Sequence, residues 1–154
     1  MRSIQPEQAK ALIGQEIGIS DWMVVDQKRI NQFADCTGDH QFIHVDEEAA
    51  SRTPFGGTLA HGFLTLSLLS KLAQGASLTL EGAKMGINYG FDRLRFIHPV
   101  MAGAAIRGRF VLADFARRKP GEYLLTYDVT VDIKGNDKPA LIARWLALQI
   151  AEEK

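Results

Sequence analysis

His61-Gly62-Phe63-Leu64-Thr65-Leu66-Ser67-Leu68-Leu69-Ser70-Lys71-Leu72-Ala73-Gln74-Gly75-Ala76 is the stretch that decides how the rest of the chain must fold. It holds no proline. Phe63, Leu64, Leu66, Leu68, Leu69, Leu72 and Ala73 leave little polar face around a helical cylinder. A helix that is apolar nearly all round is a buried one. The spacing therefore predicts one long helix from His61 to about Ala76, with other elements wrapped around it.

The wrapping lies downstream. Tyr123, Leu125, Tyr127, Val129, Val131 and Ile133 alternate with Leu124, Thr126, Asp128, Thr130 and Asp132, the period of a half-buried strand. Ile106, Phe110 and Leu112 alternate with Arg107 and Arg109 before it, with a turn around Arg117-Arg118-Lys119-Pro120-Gly121. A second turn falls at Gly135-Asn136-Asp137. Leu141 to Ile150 is almost continuously apolar, as expected of a strand covered on both faces. Ile87 to Phe96 switches its apolar positions from odd (Ile87, Tyr89, Phe91) to even (Leu94, Phe96), which a bulge near Asp92-Arg93 produces.

Upstream, the chain reads as short helices. Pro6 to Leu12 stops at Gly14. Ser20 to Val25 reads as a first strand. Gln27 to Cys36 carries Ile30, Phe33 and Ala34 on one face behind Asp26 as N-cap, and Thr37-Gly38-Asp39 ends it. Asp46 caps a further short helix to Ser51, and Pro54-Phe55-Gly56-Gly57 is a loop. Helices, one buried helix, then four strands on short turns make an α+β chain with an antiparallel sheet curled around the helix. No internal repeat, low-complexity tract or linker divides the 154 residues, so one domain is expected over 1–154.

Lysine plus arginine and aspartate plus glutamate balance at 18 each, which gives no sign of a nucleic-acid or membrane surface. A local basic patch for an anionic small ligand remains compatible with that balance. The single cysteine, Cys36, excludes an internal disulfide, and its place at a helix end suggests burial. The first residues lack the apolar core of a signal peptide, and no apolar run approaches the ~20 residues of a membrane span. The expectation is a soluble cytoplasmic protein.

Chemistry concentrates in Phe33-Ala34-Asp35-Cys36-Thr37-Gly38-Asp39-His40-Gln41-Phe42-Ile43-His44-Val45-Asp46. It places Asp39, an acceptor at neutral pH, and His44, which titrates near it, on a short connection between helices. The plain alternatives are a turn aspartate after glycine and a satisfied core histidine. A second feature is Thr58-Leu59-Ala60-His61-Gly62-Phe63-Leu64, where the apolar helix begins. Free N–H groups at a helix start favour negative charge, and a glycine admits a ligand close to the backbone. Tight packing of the helix start is the alternative reading of Gly62. His40 and His44 are four apart, but on a loop with no evident third ligand, so no metal is expected. No G-x-S-x-G elbow is present.

Gly38-Asp39-x-x-x-Ile43-His44 followed by Ala60-His61-Gly62 resembles the MaoC-like dehydratase family, the R-specific enoyl-CoA hydratases (hydratase 2). The family pattern is G-D-x-N-P-[IL]-H and then [AV]-H-G. Ile87-Asn88-Tyr89-Gly90 through Arg95-Phe96, then Pro99-Val100 and Gly103, resemble the family's next strand and turn, so the likeness covers roughly residues 20 to 150. Gln41-Phe42 departs from Asn-Pro and resembles the NodN-like branch, which bears on substrate fit and loop conformation. The resemblance implies a hot-dog fold, a homodimer or assembly of dimers with acyl sites near the subunit interface, and reversible hydration of a 2-enoyl thioester to a 3-hydroxyacyl thioester with R stereochemistry. By position, it makes Asp39 and His44 the catalytic dyad and the Gly62 N–H the oxyanion donor. Gln41, His61 and Asn88 become candidate substrate contacts. No cofactor is implied beyond coenzyme A as part of the substrate, with acyl carrier protein as the other thioester carrier. Tyr89 is expected to pack. Arg93, Arg95 and Lys84 read as a solvated strand edge, with coenzyme A phosphates as the other option.

Two rival readings remain. A hot-dog thioesterase needs a carboxylate on the buried helix, and His61 to Leu80 has no Asp or Glu. A non-catalytic acyl-binding or subunit-pairing module needs neither Asp39 nor His44.

Overall fold

The computed structural model describes residues 2–152. Among the described residues, eight strands in two sheets surround the apolar segment. β1 (Arg2–Ile4) leads into α1 (Pro6–Ala9), a 3₁₀ turn over Lys10–Leu12, and Gly14 in the left-handed region. β2 (Glu16–Ile19) and β3 (Met23–Val24) follow. The strand expected from Ser20 to Val25 is thus displaced and divided. Ser20 lies between the two pieces, donating its N–H to the Gly108 carbonyl and accepting the Gly108 N–H on Oγ.

α2 (Gln27–Thr37) starts where expected. Asp26 accepts the Arg29 N–H, and Gly38 ends the helix at φ 77°, donating its N–H to the Ala34 carbonyl. Ile30 and Ala34 form its buried face. Cys36 is exposed rather than buried. It stands two residues past Ala34, about 200° around the helix and therefore on the solvent side. α3 (Phe42–Val45) is a single helical turn where the sequence reads as loop, and α4 (Glu47–Ser51) is capped by Asp46 accepting from Ala49 N–H.

The apolar segment forms two helices, α5 (Gly62–Ser67) and α6 (Leu69–Leu72), not one to Ala76. Thr65 Oγ1 and Ser67 Oγ donate back to the His61 and Phe63 carbonyls just before the break at Leu68. Such bonds compete with the helical ladder and bend it. The burial is also one-sided. Leu64, Leu68, Leu69 and Leu72 are core, whereas Phe63 is 66% exposed.

β4 (Leu78–Leu80) pairs parallel with β1 in a small sheet of two. The main sheet has the order β2-β6-β7-β8-β5, with β3 also on β6 and every pairing antiparallel. Its long members are β5 (Ala83–Phe96), β6 (Ala105–Lys119), β7 (Glu122–Ile133) and β8 (Leu141–Ala151). Ile106, Phe110, Leu112, Leu125, Tyr127, Val129 and Val131 are buried on the concave side, as their alternation requires. Gly108 lets α6 approach, since a Cβ there would lie 3.2 Å from Leu72 Cβ and closer to the Phe110 ring. Phe110, Tyr127 and Trp145 meet at ring centroids 6.0–6.3 Å apart beneath it. This is the hot-dog arrangement, an antiparallel sheet of six strands with a helical segment packed against it.

Two strands depart from expectation. β8 alternates, with Leu141, Ala143 and Trp145 buried and the residues between them half-buried, so its two faces are not equally covered. β5 does shift register at Phe91/Arg93, but also at Asn88/Gly90 and Ala83/Met85, and it is exposed along nearly its whole length as a sheet edge. Tyr89 accordingly does not pack inside. It is half-exposed, with the Arg118 guanidinium 4.9 Å from its ring centroid.

Candidate active site

The site assembles where α2, α3 and the start of α5 meet. Gly38 turns the chain out of α2, so Asp39 emerges at the surface with Oδ1 3.4 Å from the Gln41 N–H. Gln41 then caps α3, whose single turn carries His44 inward until it is 7% exposed. His61 precedes α5 and is 2% exposed. A carboxylate oxygen of Asp39 and one ring nitrogen each of His44 and His61 come within 4.8 Å of one another.

Hydrogen bonds set the tautomers. His44 Nδ1 lies 2.7 Å from the Leu59 carbonyl, which only accepts. The proton is therefore on Nδ1, and Nε2 keeps its lone pair. His61 Nε2 lies 2.9 Å from the Asp39 carbonyl, so its proton is on Nε2. His61 Nδ1 is buried and has no hydrogen-bond partner among the described residues. The two imidazoles stack at 3.8 Å between centroids and 25° between planes, and Phe33 packs on His61 at 5.0 Å. In near-parallel rings the in-plane lone pairs run side by side. They do not converge at the ~2.1 Å a zinc ion requires, so the cluster fits a metal poorly as it stands.

Burial holds the His44 pKa below its ordinary 6.5, and the neighbouring His61 pushes the same way. The Leu59 carbonyl and the Asp39 carboxylate oppose that shift without overcoming it. At neutral pH His44 is an uncharged acceptor facing a carboxylate, and a single water with two bonds of ~2.8 Å spans such a gap. His40 is drawn the other way. Its contact with Asp35 at 3.0 Å raises its pKa, out on the surface.

Beside His44 lies a cavity of about 330 Å³, lined by His44, Gly62, Thr65, Phe96, His98 and Val100 among others. Gly62 is the first residue of α5, so its N–H has no intrahelical acceptor. A Cβ there would stand 3.2 Å from the Phe96 ring. Thr65, Phe96 and His98 were not legible as site residues. They reach the cavity from α5 and from the end of β5, and only the fold brings these together.

Of the residues singled out by sequence, Asp39, Gln41, His44, His61 and Gly62 are gathered here. Asn88 is not. It lies on β5, donating to Ser70 Oγ at 3.0 Å, and lines a separate groove of about 490 Å³ with Ser70, Trp145 and Gln149. Lys84 pairs with Glu152 at 3.2 Å, and Arg93 and Arg95 are exposed along the same strand. No helix among the described residues is long and apolar enough to cross a membrane.

Known proteins share this architecture. The family model described as MaoC like domain matches residues 8–133. Nodulation protein N of Rhizobium meliloti is 50% identical over 149 residues, covering 96% of this chain and 92% of its own. The 3-hydroxyacyl-thioester dehydratase Z of Mycobacterium tuberculosis is 43% identical over 141 residues, covering 92% and 93%. The solved structure of a monoamine oxidase regulatory protein from Archaeoglobus fulgius superposes with a TM-score of 0.80 at 26% identity, covering 99% of this chain and 98% of its own. With the family model spanning most of its length and relatives of this identity matching it nearly end to end, the chain belongs to the MaoC-like domain family.

Proposed function

We propose that the protein catalyses reversible hydration of a 2-enoyl thioester to the (R)-3-hydroxyacyl thioester. The observation that supports this reading is the clustering of Asp39 with the buried His44, a ring nitrogen of His44 and a carboxylate oxygen of Asp39 lying within 4.8 Å of each other, with His44 and Gly62 lining one cavity. The name of the dehydratase relative points to the same reaction class.

The chemistry follows from the polarity of each group. A water held between Asp39 and His44 loses a proton to His44 Nε2, and its hydroxyl forms the new bond to C3. The C2–C3 π electrons move towards the thioester, and the negative charge develops on the carbonyl oxygen. The Gly62 N–H donates to that oxygen; such a donor contributes ~3–4 kcal/mol to the transition state. The proton taken up by His44 passes to the Asp39 carboxylate and from Asp39 to C2, so the water has added across the double bond and each turnover leaves the dyad as it began. His61 acts from beneath, holding the Asp39 carbonyl and backing the His44 ring. Gln41 shapes the loop at the mouth.

The substrate is carried by coenzyme A, or by acyl carrier protein, and no metal or redox group enters the scheme. The whole chain acts as one domain in the cytoplasm. It pairs as a homodimer through β5, a fourteen-residue edge on which Met85, Ile87, Tyr89 and Phe91 are all more than a third exposed.

Loss of enoyl absorbance from crotonyl-CoA tests the reading. The parent is expected to consume it, and Asp39→Ala and His44→Ala to do so at least ~10²-fold more slowly. Equal rates in parent and variants would end the dyad proposal. Inactivity of the parent on short, long and carrier-protein substrates would favour an acyl-binding or pairing module.

A further inference from the structure

We propose that Gln27 is a positioning residue for His44, an inference that rests on the hydratase reading above. Gln27 is the first residue of α2, and its place in the sequence gives no sign of a role beyond helix initiation. Its side-chain amide nevertheless joins three separate pieces of the site. Nε2 donates to the His44 main-chain carbonyl at 2.7 Å and to Asn31 Oδ1 at 2.8 Å. Oε1 accepts from the hydroxyl of Thr58, which is 5% exposed. The orientation of the amide is fixed by chemistry, since a peptide carbonyl can only accept and must face the NH₂ edge.

The need for this bond comes from the shortness of α3. A helix of four residues leaves its last carbonyls without intrahelical partners, and His44 sits in that last stretch. Its carbonyl is half of what orients the residue. The other half is the Nδ1–H bond to Leu59. Both restraints lead to the same place. Thr58 and Leu59 adjoin in the chain, and their segment is tied to the strand connection by Ala60 N–H to the Val100 carbonyl and Ala102 N–H to the Thr58 carbonyl. Leu59 N–H also donates to the Ile43 carbonyl. Gln27 closes the frame, so that α3 is held from both α2 and residues 58–60, with Nε2 of His44 left to face the cavity.

Without the amide, α3 keeps its sequence and its Leu59 contacts but is free to pivot about them. A displacement of about 1 Å at a reacting group costs on the order of 10²-fold in rate. The loss should fall on kcat, because the interaction aligns a base and contributes nothing to substrate binding.

The experiment compares kcat and KM on crotonyl-CoA for the parent, Gln27→Met, Thr58→Val and Thr58→Ser, with Asp39→Ala as the inactive reference and melting temperature as the folding control. Gln27→Met keeps the length of the side chain and removes its hydrogen bonds. Its kcat is expected to fall ~10–100-fold with KM changed less than about threefold. Thr58→Val should lose kcat in the same sense, and Thr58→Ser, which restores the hydroxyl, should recover it. Parental kcat in both Gln27→Met and Thr58→Val, or a Thr58→Val loss that Thr58→Ser does not repair, would overturn the proposal. Should Gln27→Met fail to fold, the two Thr58 variants decide. A parent that is inactive, or no faster than Asp39→Ala, removes the hydratase reading itself, and the positioning role falls with it.

Discussion

The imidazole of His44 lies flat against that of His61, 3.8 Å between centroids, and each ring spends one nitrogen on a main-chain carbonyl. Two stacked rings at that distance in a buried setting cannot both carry charge without strong repulsion. Burial, with the neighbouring His61 acting in the same direction, holds the His44 pKa below its ordinary 6.5.

This has a measurable consequence for pH. His44 must be neutral to accept a proton, and its folded pKa lies below 6.5 through burial first and the neighbouring His61 second. The acid limb of the kcat/KM profile is expected below pH 6.5. The same shift contributes to stability: the unfolded chain binds more protons than the folded one between the lowered pKa and 6.5. That stability is fully present above 6.5 and is lost as pH falls from 6.5 towards the folded pKa. Activity and urea melts across pH 4.5–8 would check both; an acid limb at or above 6.5 would contradict the assignment.

His61→Phe keeps a ring against His44 but removes both the partner that disfavours its charge and the donor to the Asp39 carbonyl. The acid limb should move up towards 6.5, and kcat should fall ~10-fold or more as Asp39 loses its anchor. A pH–rate profile of the variant reads both effects. An unmoved limb would show that burial alone sets the His44 pKa.

Gly62→Pro set against Gly62→Ala separates the N–H from the packing at that position, since both variants add the Cβ that meets the Phe96 ring. Proline is tolerated at the first position of a helix, and His61 already has the extended backbone (φ −56°, ψ 138°) that a following proline demands. The fold should survive while kcat drops ~10²–10³-fold through loss of one oxyanion donor. Gly62→Ala keeps the N–H and only presses on the Phe96 ring, so it should cost less. Steady-state kinetics with circular dichroism distinguishes the two. Equal losses would point to packing rather than to the donor.

Ile87→Lys places a charge in the middle of the exposed apolar edge of β5, where Ile87 is 44% exposed. The variant should fold but run as a monomer in sedimentation velocity, where the parent is expected to run as a dimer. A parent that is monomeric at micromolar concentration would remove β5 as the interface.

Tyr127→Phe tests the joint between the two sheets. The Tyr127 hydroxyl, 1% exposed as part of its side chain, accepts the Leu78 N–H at 3.2 Å, and burial raises its pKa far beyond the ordinary 10. Removing the acceptor should cost about 1 kcal/mol, a fall of roughly 2–4 °C in Tm. A thermal melt at constant pH measures it.

Much of this molecule was legible without coordinates because the signals are local. The alternation in Tyr123 to Ile133 marks one wet and one dry face. Asp26 and Asp46 cap the helices that follow them, and Gly38 ends α2 in a conformation other residues avoid. Gly38-Asp39 and Ile43-His44, followed by Ala60-His61-Gly62, singled out segments that the fold brings together, with Asp39, His44 and His61 in one cluster. Other features depend on partners far away in the chain. The apolar run from Phe63 to Ala73 looked buried all round, yet nothing in a sequence says that Phe63 touches only the edge of the Phe96 ring and is left 66% exposed. Cys36 went to the solvent side because the buried face of α2 is set by where Ile30 and Ala34 meet the core. The tautomers of His44 and His61, the clasp of Gln27 on α3 and the removal of Asn88 to another groove were all decided by contacts across tens of residues. Periodicity and capping are written in neighbours along the chain, whereas hydrogen-bond partners, exposure and pKa belong to neighbours in space, and only the folded chain determines those.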